Sequence, residues 1–239
     1  MTFVPVNRRS ISPESPRKKM KDKRRAQLID ANMECIARYG LTETTISHIS
    51  ETAGMSRGII NFYFTSKEHM MRETLTHLMQ EQGQAWREAL EKSEGKSPYA
   101  RLEDSLKSVF SARLWTRKKL AVWAAFVAHA ATHPTYRYIF ETETGSMRDE
   151  IAALAGMSDP LLDAPGFANG LICYVRGLRM EMLIGDTGRT RQDLEKEALA
   201  FLGNIQPLSS AQLAERRASK PKSVSELDAA TQDLFAIAS

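Results

Sequence analysis

The chain has 239 residues, 42% hydrophobic and 26% charged, which allows one large or two modest folded domains and excludes a wholly disordered chain. No stretch of 18 apolar residues lacks charge, so no membrane span is expected. The formal net charge is +4, but residues 1–72 carry 13 Lys and Arg against 7 Asp and Glu, a positive end suited either to meeting a polyanion or to a solvated basic tail.

Residues 1–20 read as a flexible basic tail, interrupted by Pro5, Pro13 and Pro16. Arg17, Lys18, Lys19, Lys21, Lys23, Arg24 and Arg25 then lead into a helix whose apolar residues Leu28, Ile29, Met33 and Ile36 recur at helical spacing, with Gly40 where it ends. A short helix over about 45–53 follows, capped by Thr44 or Thr45 and stopped by Gly54. Ser56 caps the next, about 57–63. Thr65 and Glu68 have capping-box spacing for a longer helix running to about 93. Beyond Gly95 and Pro98 the spacing predicts helices near 98–113, 117–132, 135–155, 164–185 and 190–204. The fold class is all-α, about nine helices. Residues 206–239 form a C-terminal extension in which Val224, Leu227, Ala230, Leu234 and Ile237 could make one amphipathic helix, either docked on the body or largely disordered alone.

Three helices within 21–63 have the lengths and turn of a helix-turn-helix. In that motif the third helix lies in the major groove. The turn Ala53-Gly54-Met55-Ser56 is tight, and Ile46, Ile49, Met55 and Ile60 would fix the interhelical angle. Ser56, Arg57, Gly58, Asn61, Phe62 and Tyr63 cluster on the third helix. Arg57 suits guanine or phosphate, Asn61 suits adenine, and Gly58 lets backbone approach DNA. Thr45, Tyr63 and Lys67 suit phosphate contacts that fix register, as does the amide end of the helix beginning at 66.

The stretch TTISHISETAGMSRGIINFYFTSKE, residues 44–68, resembles the DNA-binding signature of the TetR family of bacterial transcriptional regulators. The likeness covers about residues 22–70. It implies a homodimer on a palindromic double-stranded operator, with an N-terminal three-helix domain (21–70) and a C-terminal helical ligand-binding and dimerisation domain (71–205). Asn61 departs from the Tyr that the family often carries there. Lys119 to Phe126, Gly170-Leu171-Ile172 and Arg176-Gly177-Leu178-Arg179, with Gly58 to Ile60 and Tyr63-Phe64, are similar to BetI-type members. That likeness implies a small-molecule effector such as choline or a related quaternary ammonium compound. An effector from efflux or catabolism, and a ligand-independent DNA-binding protein, remain as alternatives.

Trp115, Trp123, Phe126, Tyr136 and Tyr174, with Tyr138, could line an effector cavity, and Glu181 or Glu143 could complete a cation–π site; alternatively the aromatics fill the core. His129 and His133 share a helix face but make no zinc site alone, so no metal and no cofactor are expected. No nucleophile-base constellation or nucleotide fingerprint appears, so the chain reads as no enzyme. Phe167, Leu171, Tyr174, Val175, Leu178 and Met182, with Ala198, Leu199, Phe201 and Leu202, form apolar patches that suit either a four-helix dimer interface or burial within one subunit. The run 17–25 is either a solvated tail or a DNA-contacting arm. Cys35 and Cys173 make no metal pattern, and no secretion signal opens the chain, which fits a bacterial cytoplasm.

Overall fold

The computed structural model describes residues 16–185 and 188–203. The tail as far as residue 15 and the expected amphipathic helix in 206–239 lie outside the described residues. Among those residues there are nine helices: α1 (Pro16–Glu43), α2 (Ile46–Ala53), α3 (Arg57–Tyr63), α4 (Lys67–Lys92), α5 (Pro98–Val109), α6 (Arg117–Ala130), α7 (Pro134–Ser158), α8 (Ala164–Ile184) and α9 (Arg191–Leu202). The all-α expectation holds. No described helix is long and apolar enough to cross a membrane.

The helix boundaries follow local chemistry. Gly40, at φ 78°, breaks α1 near its end. Of the two threonines that could cap α2, Thr45 does so, its side chain accepting from the His48 N–H at 3.2 Å. Thr44 is buried and donates back to the Gly40 carbonyl at 2.7 Å. Gly54 ends α2 in the left-handed conformation, φ 62°. Ser56 caps α3 by accepting from Ile59 N–H. The expected Thr65 cap of α4 is displaced by one residue. Ser66 Oγ accepts from His69 N–H at 3.0 Å, while Thr65 faces the His69 ring nitrogen at 3.1 Å. The expected helix over 98–113 stops at Val109, because Phe110 leaves helical geometry and residues 111–115 turn on the Ser111 carbonyl. Helix α1 starts at Pro16, five residues before the expected 21, so the basic run 17–25 is helical.

The chain divides into two compact units. The first draws on Met1–Leu78 and Arg117–Ile139; the second on Met79–Thr116 and Phe140–Ser239. Helices α4 and α7 therefore contribute residues to both. In the first unit, Leu28, Ile36, Ile49, Ile60, Phe64, Met70 and Leu75 are fully or almost fully buried. Asn32 Nδ2 donates to Thr74 Oγ1 at 2.8 Å inside that core, joining α1 to α4. In the second unit, Leu102, Leu106, Phe110, Leu171, Leu194 and Leu202 form the core. The expected apolar stripe of α8 faces inward, with Leu171, Val175 and Leu178 buried and Phe167, Tyr174 and Met182 half-buried, whereas the opposite side of the helix leaves Cys173, Gly177, Met180 and Ile184 exposed.

Candidate nucleic-acid interface

Helix α3 is seven residues long, too short to persist alone. Two caps and one buried residue hold it: Ser56 at its start, Phe64 N–H on the Ile60 carbonyl at its end, and Ile60 at 0% exposure on its inner side. That anchoring turns Arg57, Gly58, Asn61 and Phe62 outward, all exposed. Tyr63 is half-buried, its ring 5.1 Å from Phe62 in edge contact. Phe62 is 73% exposed, although solvent exposure of so large an apolar ring is unfavourable.

Helix α2 supplies the second edge of this face. Arg57 Nη2 donates to Ser47 Oγ at 2.7 Å, which sets the guanidinium between α3 and α2. The Ser50 hydroxyl donates to the Met55 carbonyl at 2.6 Å and ties the turn closed. Thr45 and Ser56 each use an oxygen lone pair for capping; a hydroxyl still has a hydrogen to donate. Lys67 is half-buried, its ammonium donating to the Thr42 carbonyl at 2.9 Å.

The start of α1 borders the same face. Lys21 Nζ lies 5.9 Å from the centre of the Phe62 ring. Residues 17–24 are all exposed, and Arg25 turns inward to the Glu73 carboxylate and the Phe64 ring. Sequence reasoning left the run 17–25, Lys21 included, open between a solvated tail and a DNA-contacting arm, and it did not select Ser47, because nothing in local spacing announces that Ser47 meets Arg57 ten residues on.

The expected effector-lining residues fall in both units. Trp123, Phe126 and Tyr136 belong to the first. Phe126 and Tyr136 meet edge to face at 5.1 Å, Tyr136 stacks on His133 at 4.2 Å, and all three expected residues are buried. The Tyr136 hydroxyl donates to Glu68 at 3.1 Å. Burial, and then the adjacent Glu68 carboxylate, push its pKa well above the ordinary tyrosine range. Tyr136 borders a recess of about 340 Å³ with Thr42, Lys67, Glu68, His129 and His133. Trp115, Tyr174 and Glu181 belong to the second unit. Trp115 stacks on Phe110 at 4.5 Å, and its N–H donates to the Val109 carbonyl at 2.6 Å. Tyr174 stacks on Phe201 at 4.8 Å, and Glu181 lies 3.7 Å from Arg189. Tyr138 is exposed, and Glu143 accepts from Gln80 at 3.4 Å. No group of three His, Cys, Asp or Glu among the described residues is placed to hold a metal ion.

Comparison with known proteins bears on both units. The model of bacterial regulatory proteins, tetR family, matches residues 28–74. The model of the BetI-type transcriptional repressor, C-terminal, matches residues 98–206. The HTH-type transcriptional regulator BetI of Burkholderia mallei (strain NCTC 10229) is 28% identical over 165 residues, 68% of this chain and 83% of that protein. BetI of Burkholderia cenocepacia (strain HI2424) is 27% identical over 165 residues, 68% and 84%. Among solved structures, a protein of Pseudomonas aeruginosa PAO1 assigned as a transcriptional regulator superposes with a TM-score of 0.67 at 22% identity, covering 77% of this chain and 91% of its own. One from Saccharomonospora viridis, solved in complex with choline, gives 0.65 at 19% identity, covering 76% and 96%.

Proposed function

The chain belongs to the TetR family of transcriptional regulators, which are not enzymes, and from that premise we propose that it is a repressor. It binds a palindromic operator as a homodimer and responds to a small molecule held by its C-terminal half. The exposure of Arg57, Gly58, Asn61 and Phe62 on a helix whose opposite side is pinned by buried Ile60 carries this reading. Arg57 reads guanine, Asn61 pairs with adenine, and Phe62 meets a thymine methyl. Gly58 lets the backbone approach. Thr45, Ser56, Tyr63 and Lys67 donate to phosphates. The first turns of α1 add phosphate contacts through Lys21 and its basic neighbours, supported by their position beside Phe62. The exposed line Cys173, Gly177, Met180 and Ile184 supports pairing of α8 with its mate in the dimer, and the site of action is the cytoplasm, where DNA is reached.

Helix α4 starts beside the reading helix and has residues in both units, which supports its use as the lever between effector and operator. A coupling of about 1–3 kcal/mol suffices for regulation. Selection from a random duplex pool tests the reading. An inverted repeat with half-sites one helical turn or a multiple apart is expected. Enrichment of no sequence, or protection of a single half-site by a monomer, overturns it. For the effector, the BetI-type match and the choline-bound structural neighbour support a quaternary ammonium compound. The charged groups inside the second unit favour a different class.

A further inference from the structure

Within the second unit, two turns of α7 and α8 bring arginines together. Arg176 on α8 donates through Nη2 to Thr144 Oγ1 on α7 at 3.3 Å. Arg148 stands one turn beyond Thr144 on α7, and Arg179 one turn beyond Arg176 on α8, so each pair shares a helix face. Arg179 is only 7% exposed, and its guanidinium lies over the Trp115 ring, 5.9 Å from the centre. Thr144 is buried, and Arg148 and Arg176 are half-buried.

Two of these cations, Arg148 and Arg176, lack a counter-charge among the described residues: neither makes an ion pair, and the buried Arg148 Nε has no hydrogen-bond partner. The half-buried carboxylates of the two helices are engaged elsewhere: Glu143 with Gln80, Glu150 with the Trp86 N–H, Glu181 with Arg189. Burial, and then the neighbouring guanidinium, lower both Arg176 and Arg179, the latter to about 10. Both stay charged at neutral pH. Desolvated like charges are costly, and an oxyanion accepting from two guanidinium forks relieves that cost.

We propose that Arg148, Arg176, Arg179 and the Thr144 hydroxyl form a binding site for a small oxyanion, a carboxylate or phosphate group, and that the effector of this regulator is therefore an acid and not a quaternary ammonium compound. A cationic ligand approaching Trp115 would meet Arg179 already over that ring. The inference rests on the regulator reading for the word effector; the anion site itself does not.

The test uses the full-length protein and three kinds of probe at constant ionic strength: sodium carboxylates from acetate to octanoate, inorganic phosphate, and choline chloride. Calorimetry and thermal denaturation are read without DNA, and operator binding is read separately by fluorescence anisotropy. At least one carboxylate or phosphate binds saturably and raises the Tm of the native protein, and choline does neither. Arg176→Gln and Arg148→Gln each weaken that binding tenfold or more, with a ligand-free Tm no lower than the native one, because a repelling charge has gone. Thr144→Val, which keeps every charge, weakens it several-fold. Carboxylate or phosphate arms separate the two sources of the group. Absence of saturable binding by every oxyanion, undiminished binding in both arginine variants, or choline binding that those variants leave intact overturns the proposal. So does dissociation of a dimer by Arg176→Gln, which would assign the arginines to a partner's carboxylates. Arginine-dependent anion binding by a protein that selects no operator would leave the site standing and remove the regulator reading.

Discussion

Arg57 on α3 and Ser47 on α2 are joined by a 2.7 Å hydrogen bond from Nη2 to Oγ, so the guanidinium proposed to read DNA is positioned by the helix preceding the turn. An arginine free to swing loses side-chain entropy on binding; one already braced loses less. On the proposed reading, that relationship makes α2 part of the reading apparatus and not only its support.

Arg57→Ala is accordingly expected to weaken the specific operator by about 1–3 kcal/mol and random duplex by much less. Ser47→Ala, which removes only the brace, weakens the operator by a smaller amount with no effect on random DNA. Titration of both variants against both duplexes decides it. Equal losses on the two DNAs would reassign Arg57 to phosphate.

Lys67→Ala should weaken operator and random duplex alike and flatten the salt dependence of binding by about one unit of slope. The ammonium rests on the Thr42 carbonyl at 2.9 Å, with further N–H donors to spare for a phosphate. An unchanged slope from 50 to 200 mM salt would confine Lys67 to capping α1 (range roughly that over which such contacts are usually measured).

Thr74→Val leaves the buried Asn32 amide without its 2.8 Å acceptor. A buried donor left unsatisfied costs about 1–3 kcal/mol, so urea denaturation should show that loss with an unchanged m-value. Because the link joins α1 to α4, a fully stable variant would show that this hydrogen bond adds nothing net to their contact.

Gly54→Ala isolates a backbone effect. Nothing lies within 4 Å of a Cβ at Gly54, so the new methyl group meets no neighbour. The φ of 62° remains, and an L-residue held there costs about 1–2 kcal/mol. Asn at the same position should recover part of the loss, since it tolerates the left-handed region.

Tyr136 sets an alkaline limit. Its folded pKa lies above the unfolded value of 10.0, through burial and then the Glu68 carboxylate. A raised folded value means that its contribution is complete below pH 10 and is lost as pH rises toward the folded value. Alkaline denaturation should therefore steepen above about pH 10, and Tyr136→Phe should flatten that limb. Identical alkaline profiles for the two proteins would remove Tyr136 as the cause.

Much of the fold could be read directly along the chain. The cap at Ser56, the stop at Gly54 and the proline start at Pro98 all involve groups within four residues of one another. The outward set on α3 was equally legible, because helical periodicity alone separates buried Ile60 from exposed Arg57, Asn61 and Phe62. Where alternatives were locally equivalent, spacing could not choose. Thr45 over Thr44 and Ser66 over Thr65 were settled by Thr44 turning to the Gly40 carbonyl and by Thr65 meeting the His69 ring.

The sequence by itself determined an all-α chain, its helix order and the exposed set on α3, because capping, glycine stops and a 3.6-residue period are local. Only the tertiary structure decided which helices meet. It brought the basic start of α1 beside Phe62, set Arg57 on Ser47, buried the Tyr136 hydroxyl against Glu68, and paired Arg176 with Thr144 across α7 and α8. It also divided the candidate aromatics between two units. Contacts of this kind join residues that are ten to sixty-eight positions apart in the chain, and no local pattern encodes them; they exist because burial of each apolar face selects its partner.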